Sequence, residues 1–318
     1  MRILFMGTPD FSLQFLKKIM ESDEIVAIVT QGDRPARRGH RLEYSEVKKF
    51  SLETNLTLFQ PAEITDSNFV KSVKELAPDL IVVVAFGKVL SSEILTIPGK
   101  GCVNIHFSLL PKYRGPAPVQ WALVEGDYYT GVSSIFMEEE VDSGDIILQK
   151  RISIDPEDNY LTLQNKLCKA GVVLLEETLN LIREGKNSGH PQDDSGISYA
   201  PLLKKSDGQI NWNDASGKIC NRIRALNPWP GTYIEMDGGK KVKILGAKIM
   251  PVPVKADKEG SPKPGKIVEI RRGEGFVVTC GEGSLLVTLV QPENKPIQKA
   301  YDYLQGARLK VGDMWGKE

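Results

Sequence analysis

The apolar positions along this chain fall into two regimes. Up to about residue 185, short continuous apolar runs alternate with stretches whose apolar residues recur at helical spacing. "RILFMG" at 2–7, "IVAIVT" at 25–30 and "LIVVVAF" at 80–86 read as strands. Unbroken runs of this kind suit strands buried on both faces of a parallel sheet. Between the first two, Phe11, Phe15, Leu16 and Ile19 mark a helix. "GCVNIHF" at 101–107 is a further strand, and "GVSSIFM" at 131–137 with "DIILQKRI" at 145–152 reads as a closing strand pair. A long helix is expected over 160–184, stopped by Gly185 in the manner of a carboxy-terminal cap. Strand–helix alternation predicts an α/β fold with a doubly wound, mostly parallel, Rossmann-like sheet.

Past residue 206 the period changes. One helix is expected over about 214–226, then "NPWPG", then short strands separated by Gly and Pro: "TYIEM", "KVKILGAKI", "GKIVEI", "GFVVTC" and "SLLVTLV". Short strands with frequent turns imply a small all-β barrel or sandwich. The expected organisation is a first domain over 1–189, a polar, turn-rich linker over 190–206, and a second domain over 207–318.

Composition changes this picture little; charge distribution changes it more. With 318 residues, 41% hydrophobic and 26% charged, the chain has the balance of a globular protein of two domains. Its beginning has neither the form of a signal peptide nor the length of a membrane span, so a cytoplasmic protein is expected. Cys102, Cys168, Cys220 and Cys280 are scattered without a Cys-x-x-Cys pair or a His partner at ligand spacing, and are expected to be reduced thiols with no metal site. Net charge is zero, yet Lys240 to Arg272 holds ten basic residues against three acidic ones. Such asymmetry fits a polyanion-binding module or simply a solvated Lys-rich surface.

The strand at 101–107 raises the chemical question. Asn104 and His106 alternate with Val103 and Ile105, so an amide and an imidazole leave one face of a strand end, about 6–7 Å apart. Burying both without partners costs a few kcal/mol, so either they bond one another or they face a cleft. In open parallel sheets ligands bind at carboxyl ends of strands, near the point where strand order reverses. Asp142, in "VDSGD", adds a carboxylate in the connection between the last two strands; Asp in such a turn also commonly bonds its own backbone. Together the three could run acyl transfer, the amide and imidazole stabilising an oxyanion and the carboxylate handling the nucleophile's proton. No G-x-S-x-G, G-x-G-x-x-G or phosphate-binding G-x-x-x-x-G-K-[ST] occurs, which leaves serine hydrolysis, dinucleotide binding and nucleotide hydrolysis without support.

"NIHFSLLPKYRGPAPVQWAL" followed by "VDSGDIIL" resembles the folate-dependent formyltransferases, which share Asn-x-His, then Ser-Leu-Leu-Pro, then a distant Asp. Within that family the chain is similar to the branch acting on methionyl initiator tRNA. "GTPDFS", "TQGDRPARRGHRL", "FQPAEI", "VVVAFGKVL", "SDGQINW" and "RALNPWPGTY" carry this likeness along nearly the whole chain. The resemblance implies formyl transfer from 10-formyltetrahydrofolate to the amino group of methionyl initiator tRNA, by a monomer, without a metal. It places Asn104, His106 and Asp142 on catalytic positions. Ser108, Leu109, Leu110 and Pro111 fall on the folate-contacting motif, and Phe86, Gly87, Val89 and Leu90 on the wall of the pterin pocket.

The loop with Arg34, Arg37, Arg38 and Arg41 falls on a tRNA-inserting loop, Arg38 on its key contact; by composition alone it reads as a solvated loop. Arg37 stands where the family commonly has Gly, and so does Phe107, which is expected to narrow the cleft. The second domain falls on an OB-like barrel that lies along tRNA, with Lys240, Lys241 and Lys243 as phosphate contacts. A related activity on an amino-sugar nucleotide would keep Asn104, His106 and Asp142 but need neither the Arg loop nor the basic domain. A formate-releasing hydrolase, or an RNA-binding module with an inert α/β half, would each leave some of these motifs idle.

Overall fold

Strand β1 (Arg2–Gly7) is buried at every position but its first and its two neighbours both run parallel to it. In the computed structural model, which describes residues 1–35, 42–186, 188–250 and 263–317, it is followed by α1 (Ser12–Met20), β2 (Glu24–Val29), β3 (Arg34–Pro35), β4 (Leu42–Glu43), α2 (Glu46–Thr54) and β5 (Leu58–Phe59). Then come α3 (Ser67–Leu76), β6 (Leu80–Val84), α4 (Ser92–Leu95), β7 (Cys102–His106), α5 (Pro118–Glu125), β8 (Tyr129–Phe136), β9 (Ile146–Ser153) and α6 (Tyr160–Arg183). The chain finishes with α7 (Ser216–Leu226), β10 (Thr232–Glu235), β11 (Lys241–Ile249), β12 (Ile267–Arg271), β13 (Gly275–Thr279), β14 (Ser284–Pro292), β15 (Gln298–Lys299) and α8 (Ala300–Ala307).

Seven strands form the first sheet in the order β5-β2-β1-β6-β7-β8-β9. All neighbours are parallel up to β7; β8 and β9 are antiparallel additions, the expected closing pair. Strand order reverses between β1 and β6. The Asn104–His106 strand end lies one strand beyond that reversal, not at it.

Alternation along the strands sorts the core into two faces. Leu4, Met6, Ile81, Val83 and Cys102 share one cluster with Phe69, Val70 and Val73 of α3. On the other face, Gly171 of α6 packs against Phe15 of α1 and Ile105 of β7, and an added Cβ would lie 2.9 Å from the tip of the Phe15 ring. Burying each such Leu, Ile, Val or Phe contributes about 1.5–3 kcal/mol. Local signals agree with the packing: Ser45 and Asp66 cap α2 and α3 through the amides of Lys48 and Phe69, and Gly185 follows α6 at φ 66°.

The second sheet is antiparallel, in the order β10-β11-β14-β13-β12, with β15 added against β14. It carries α7 and α8, and its core includes Trp212, Phe276 and Trp315. Trp315 is fully buried, its ring edge-on to Phe276 at 4.6 Å, and its carbonyl accepts from Trp212 Nε1 at 2.8 Å. By contacts the chain forms two units: 1–118, 129–153 and 164–201 in one, 119–128, 154–163 and 202–318 in the other. Part of the stretch expected as a linker is bonded onto the first unit: His190 pairs with Ile146, and Tyr199 bridges to Arg114. Among the described residues, no helix is long and apolar enough to cross a membrane.

Candidate active site

Asn104 and His106 point from the same face of β7, as period-two alternation requires, but they do not bond one another. Both reach Asp142. Asn104 Nδ2 donates to Asp142 Oδ1 at 3.2 Å, and His106 Nδ1 lies 3.4 Å from Asp142 Oδ2. The backbone N–H of Gly115 donates to the same Oδ2 at 2.8 Å. Asp142 therefore does not spend its carboxylate on its own turn. It sits at φ 56°, in the left-handed region that Asp tolerates better than most residues, and the side chain is 10% exposed.

His106 is 6% exposed and both ring nitrogens face acceptors. Nε2 lies 2.9 Å from the Tyr113 carbonyl, which can only accept, so Nε2 carries a proton. Nδ1 is then bare in the neutral ring and an N–H in the imidazolium; only the imidazolium donates to Asp142 or to an oxyanion. This refines the sequence expectation. The imidazole can serve an oxyanion only through Nδ1, whereas Asn104 retains a second N–H on Nδ2.

Two glycines near Asp142 have no space for a side chain against neighbouring main chain. A Cβ on Gly144 would lie 1.9 Å from the Phe136 carbonyl oxygen, and one on Gly115, at φ 119°, would lie 2.8 Å from the Ala200 carbonyl oxygen.

The loops after β6 and β7 bracket this centre. After β7, Ser108 is fully buried: its hydroxyl donates to the Lys112 carbonyl at 2.6 Å, and its carbonyl accepts from Ser133 Oγ at 2.7 Å. Leu110 donates its N–H to Ser133 Oγ and accepts from Gln149 Nε2 at 2.9 Å, ahead of a cis bond to Pro111. A Cβ on Gly131 would strike Leu109, which packs over β8. Thus Ser108 and Leu110 shape the loop from within rather than presenting side chains to a ligand. After β6, Phe86 is 1% exposed and belongs to the core cluster, as does Leu90 at 3%, whereas Val89 is 58% exposed. Gly87, at φ 78°, accepts from Gln31 Nε2, which also bonds the Phe86 carbonyl at 2.8 Å. Of the expected pterin wall, only Gly87 and Val89 are free to face a ligand directly; Phe86 and Leu90 hold the loop from behind.

Phe107 does not narrow the cleft. One residue after His106, alternation turns its ring to the opposite face, where it packs on Phe11 and Phe15 at centroid distances of 5.4 and 6.2 Å. Arg34 lies on β3, its backbone paired with Glu43; Arg37, Arg38 and Arg41 lie outside the described residues. The stem of that loop is anchored by Lys48, whose Nζ bonds Asp33 at 2.6 Å and Gln60 at 2.8 Å. Gln60 Nε2 also reaches Asp33 at 3.0 Å, and these bonds from Gln60 and Lys48 hold the Asp33 carboxyl below its usual range.

On the second unit, Lys240, Lys241 and Lys243 are exposed, with Val242 and Ile244 turned inward. Lys241 is partly offset by Glu235, 3.8 Å away, and lies over the Tyr233 ring. The four cysteines are free, and burial pushes the thiols of Cys102, Cys168 and Cys280 up to about 12, so they stay protonated. Among the described residues no cluster of His, Cys, Asp and Glu could hold a metal.

Sequence reasoning missed Tyr113, Arg114, Gly115 and Gln192. The first three sit in the quoted "KYRGPAP" loop, whose proximity to Asn-x-His was their signal. Gln192, in a polar turn-rich stretch, carried none.

Residues 1–179 match the formyl transferase family model, and residues 202–308 match that of the formyl transferase C-terminal domain. The chain belongs to the formyl transferase family. It is 43% identical to the methionyl-tRNA formyltransferase of Thermodesulfovibrio yellowstonii, over 98% of this chain and 97% of that one. The identity to the methionyl-tRNA formyltransferase of Moorella thermoacetica is also 43%, over 99% of both chains. Among solved structures, an N-formyltransferase from Helicobacter canadensis, in complex with folinic acid and dTDP-3-aminofucose, shares the fold at a TM-score of 0.68. The identity is 16%, over 92% of this chain and 99% of that one. HypX from Aquifex aeolicus, in complex with tetrahydrofolic acid, matches at a TM-score of 0.66 and 18% identity, and this chain spans 50% of its length.

Proposed function

We propose that this formyltransferase moves a formyl group from 10-formyltetrahydrofolate to the free amino group of methionyl initiator tRNA, in preparation for translation initiation. The observation that carries the mechanism is the convergence of Asn104, His106 and Gly115 on the one carboxylate of Asp142, at the carboxyl end of β7. The near-full-length likeness to methionyl-tRNA formyltransferases supports the choice of acceptor.

The pterin of the donor would be held by Gly87, Val89 and the main chain of 108–111, in the loops that follow the adjacent parallel strands β6 and β7. Bound there, the folate supplies an activated formyl carbon and a leaving nitrogen that needs one proton. The residues of this chain then have three tasks. The second Nδ2–H of Asn104 stabilises the oxygen of the formyl carbon as the amine attacks, and His106 adds a donor there when its Nδ1 carries a proton. Asp142 takes one proton from the attacking amine as the new N–C bond forms. That proton is returned to the nitrogen whose bond to the formyl carbon breaks, leaving the carboxylate as it began. Removing a single oxyanion donor costs about 10²–10³ in rate.

Lys240, Lys241 and Lys243 would neutralise tRNA phosphates, joined by Arg34, Arg37, Arg38 and Arg41 near the acceptor end. Initiator tRNA and reduced folate meet in the cytoplasm, where we place the reaction, with a monomer as the working unit. The test is to offer the donor with methionyl initiator tRNA and, separately, with an amino-sugar nucleotide. Transfer to the tRNA alone is expected. Transfer to the sugar alone would move this chain to the other branch of the family.

A further inference from the structure

We propose that Gln192 is a positioning residue for Asp142, fixing the main chain of the turn while the carboxylate does the chemistry assigned above, on which this inference rests. Asp142 depends on being held, because its φ of 56° is unfavourable for a residue with a side chain and its contact with His106 is already 3.4 Å. Gln192 meets that need with both ends of its amide. Nε2 has two N–H groups, and they go to two carbonyls of the turn, Asp142 O and Gly144 O, each at 2.8 Å.

The other end of the amide is held by Arg114. Gln192 Oε1 accepts from Arg114 Nε at 3.1 Å and from the second guanidinium nitrogen at 2.9 Å. Arg114 is 6% exposed, and its carboxylate neighbour Glu140 is 3.7 Å away and 69% exposed, so the short contacts of this buried cation go to a neutral amide. A guanidinium on the oxygen polarises the amide and strengthens its N–H groups as donors. Arg114 is itself fixed: its N–H donates to Ser198 O at 2.9 Å and its carbonyl accepts from Ala200 N at 2.8 Å.

The three residues 113–115 therefore govern the whole centre. Tyr113 O holds His106, Gly115 N holds the Asp142 carboxylate, and Arg114 holds the Asp142 main chain through Gln192. The contact through Gln192 acts on position, because its N–H groups reach the main chain of the turn and not the carboxylate, and a misplacement near 1 Å at a reacting group costs about 100-fold in rate.

The two roles open to Gln192, positioning Asp142 or merely tying 190–200 onto the first unit, separate kinetically. The experiment measures kcat, both KM values and Tm for wild type, Gln192→Ala, Gln192→Glu and Asp142→Ala. Gln192→Glu keeps the volume and the acceptor for Arg114 but has no N–H for the turn. Both Gln192 variants are expected to lose about 10–100-fold in kcat, with both KM values within about threefold of wild type. Gln192→Glu is expected to stay folded, with a Tm lowered by the two turn contacts it loses. A Gln192→Glu enzyme with wild-type kcat would overturn the proposal, as would a rise in KM at unchanged kcat. Loss of the fold in both Gln192 variants would assign the residue a structural role instead. An active Asp142→Ala would fail the assignment of Asp142 itself, whatever Gln192 does.

Discussion

At the residue scale the proposed chemistry rests on Asp142. One carboxylate takes an amide donor, a backbone N–H and an imidazole edge, and the strand and turn that supply them are far apart in sequence. The Asn104–His106 pair was legible because period two in a strand places alternate residues on one face. The third member was legible only as a carboxylate in a turn. Its support from Gly115 and Gln192 was not, since no local pattern announces a contact across 27 or 50 residues. Phe107 shows the same rule neglected: the alternation that puts His106 in the site puts Phe107 in the core. Phe107→Ala should therefore cost about 3–5 kcal/mol of stability, read by denaturant unfolding, and leave the KM for the folate donor within about twofold. Unchanged stability with an altered donor KM would mean that the ring lines the cleft after all.

Elements with strong periodicity were read within a residue or two of their ends, among them β7, β11 and α6. The two-residue strands β3, β4, β5 and β15 escaped notice, because a strand that short has no period and exists only through its neighbour. One long-range lock between elements is open to test. Arg183, in the last turn of α6, and the amino terminus both hold Asp23, which lies just before β2 and whose side chain is fully buried. Burial pushes the Asp23 carboxyl up, but hydrogen bonds from Arg183 and the terminal amine outweigh it and hold the group below its usual value of 3.8. A folded-state value below the unfolded one stabilises above the ordinary carboxylate range, and this is lost as pH falls through the folded value. Asp23→Asn should thus lose about 1–3 kcal/mol at neutral pH. The gap in thermal unfolding to wild type should close on acidification below pH 3.8. A gap that persists unchanged at low pH would remove the ion pair from the account.

At the scale of the molecule, the passage from a mostly parallel to an antiparallel sheet was legible from the change of period near residue 206, but the way the chain is shared between the two units was not. Segments 119–128 and 154–163 group with the second unit although they lie within the first in sequence. Such an exchange is set by tertiary packing and leaves no trace in composition. The charge asymmetry belongs to this scale too. Reversing Lys240, Lys241 and Lys243 to Glu should raise the KM for tRNA, with no change in folate binding. It should also flatten the salt dependence of tRNA affinity by a slope of about 2–3, close to one for each phosphate that is no longer neutralised. An unchanged salt slope would place the tRNA elsewhere.

The most direct test of the account is single-turnover formyl transfer from 10-formyltetrahydrofolate to methionyl initiator tRNA, by wild type and by Asp142→Ala side by side. The expected result is an active wild type and a mutant at least about 10²-fold slower with donor and tRNA still bound. A mutant that transfers formyl at the wild-type rate would contradict the central claim that the Asp142 carboxylate carries the proton.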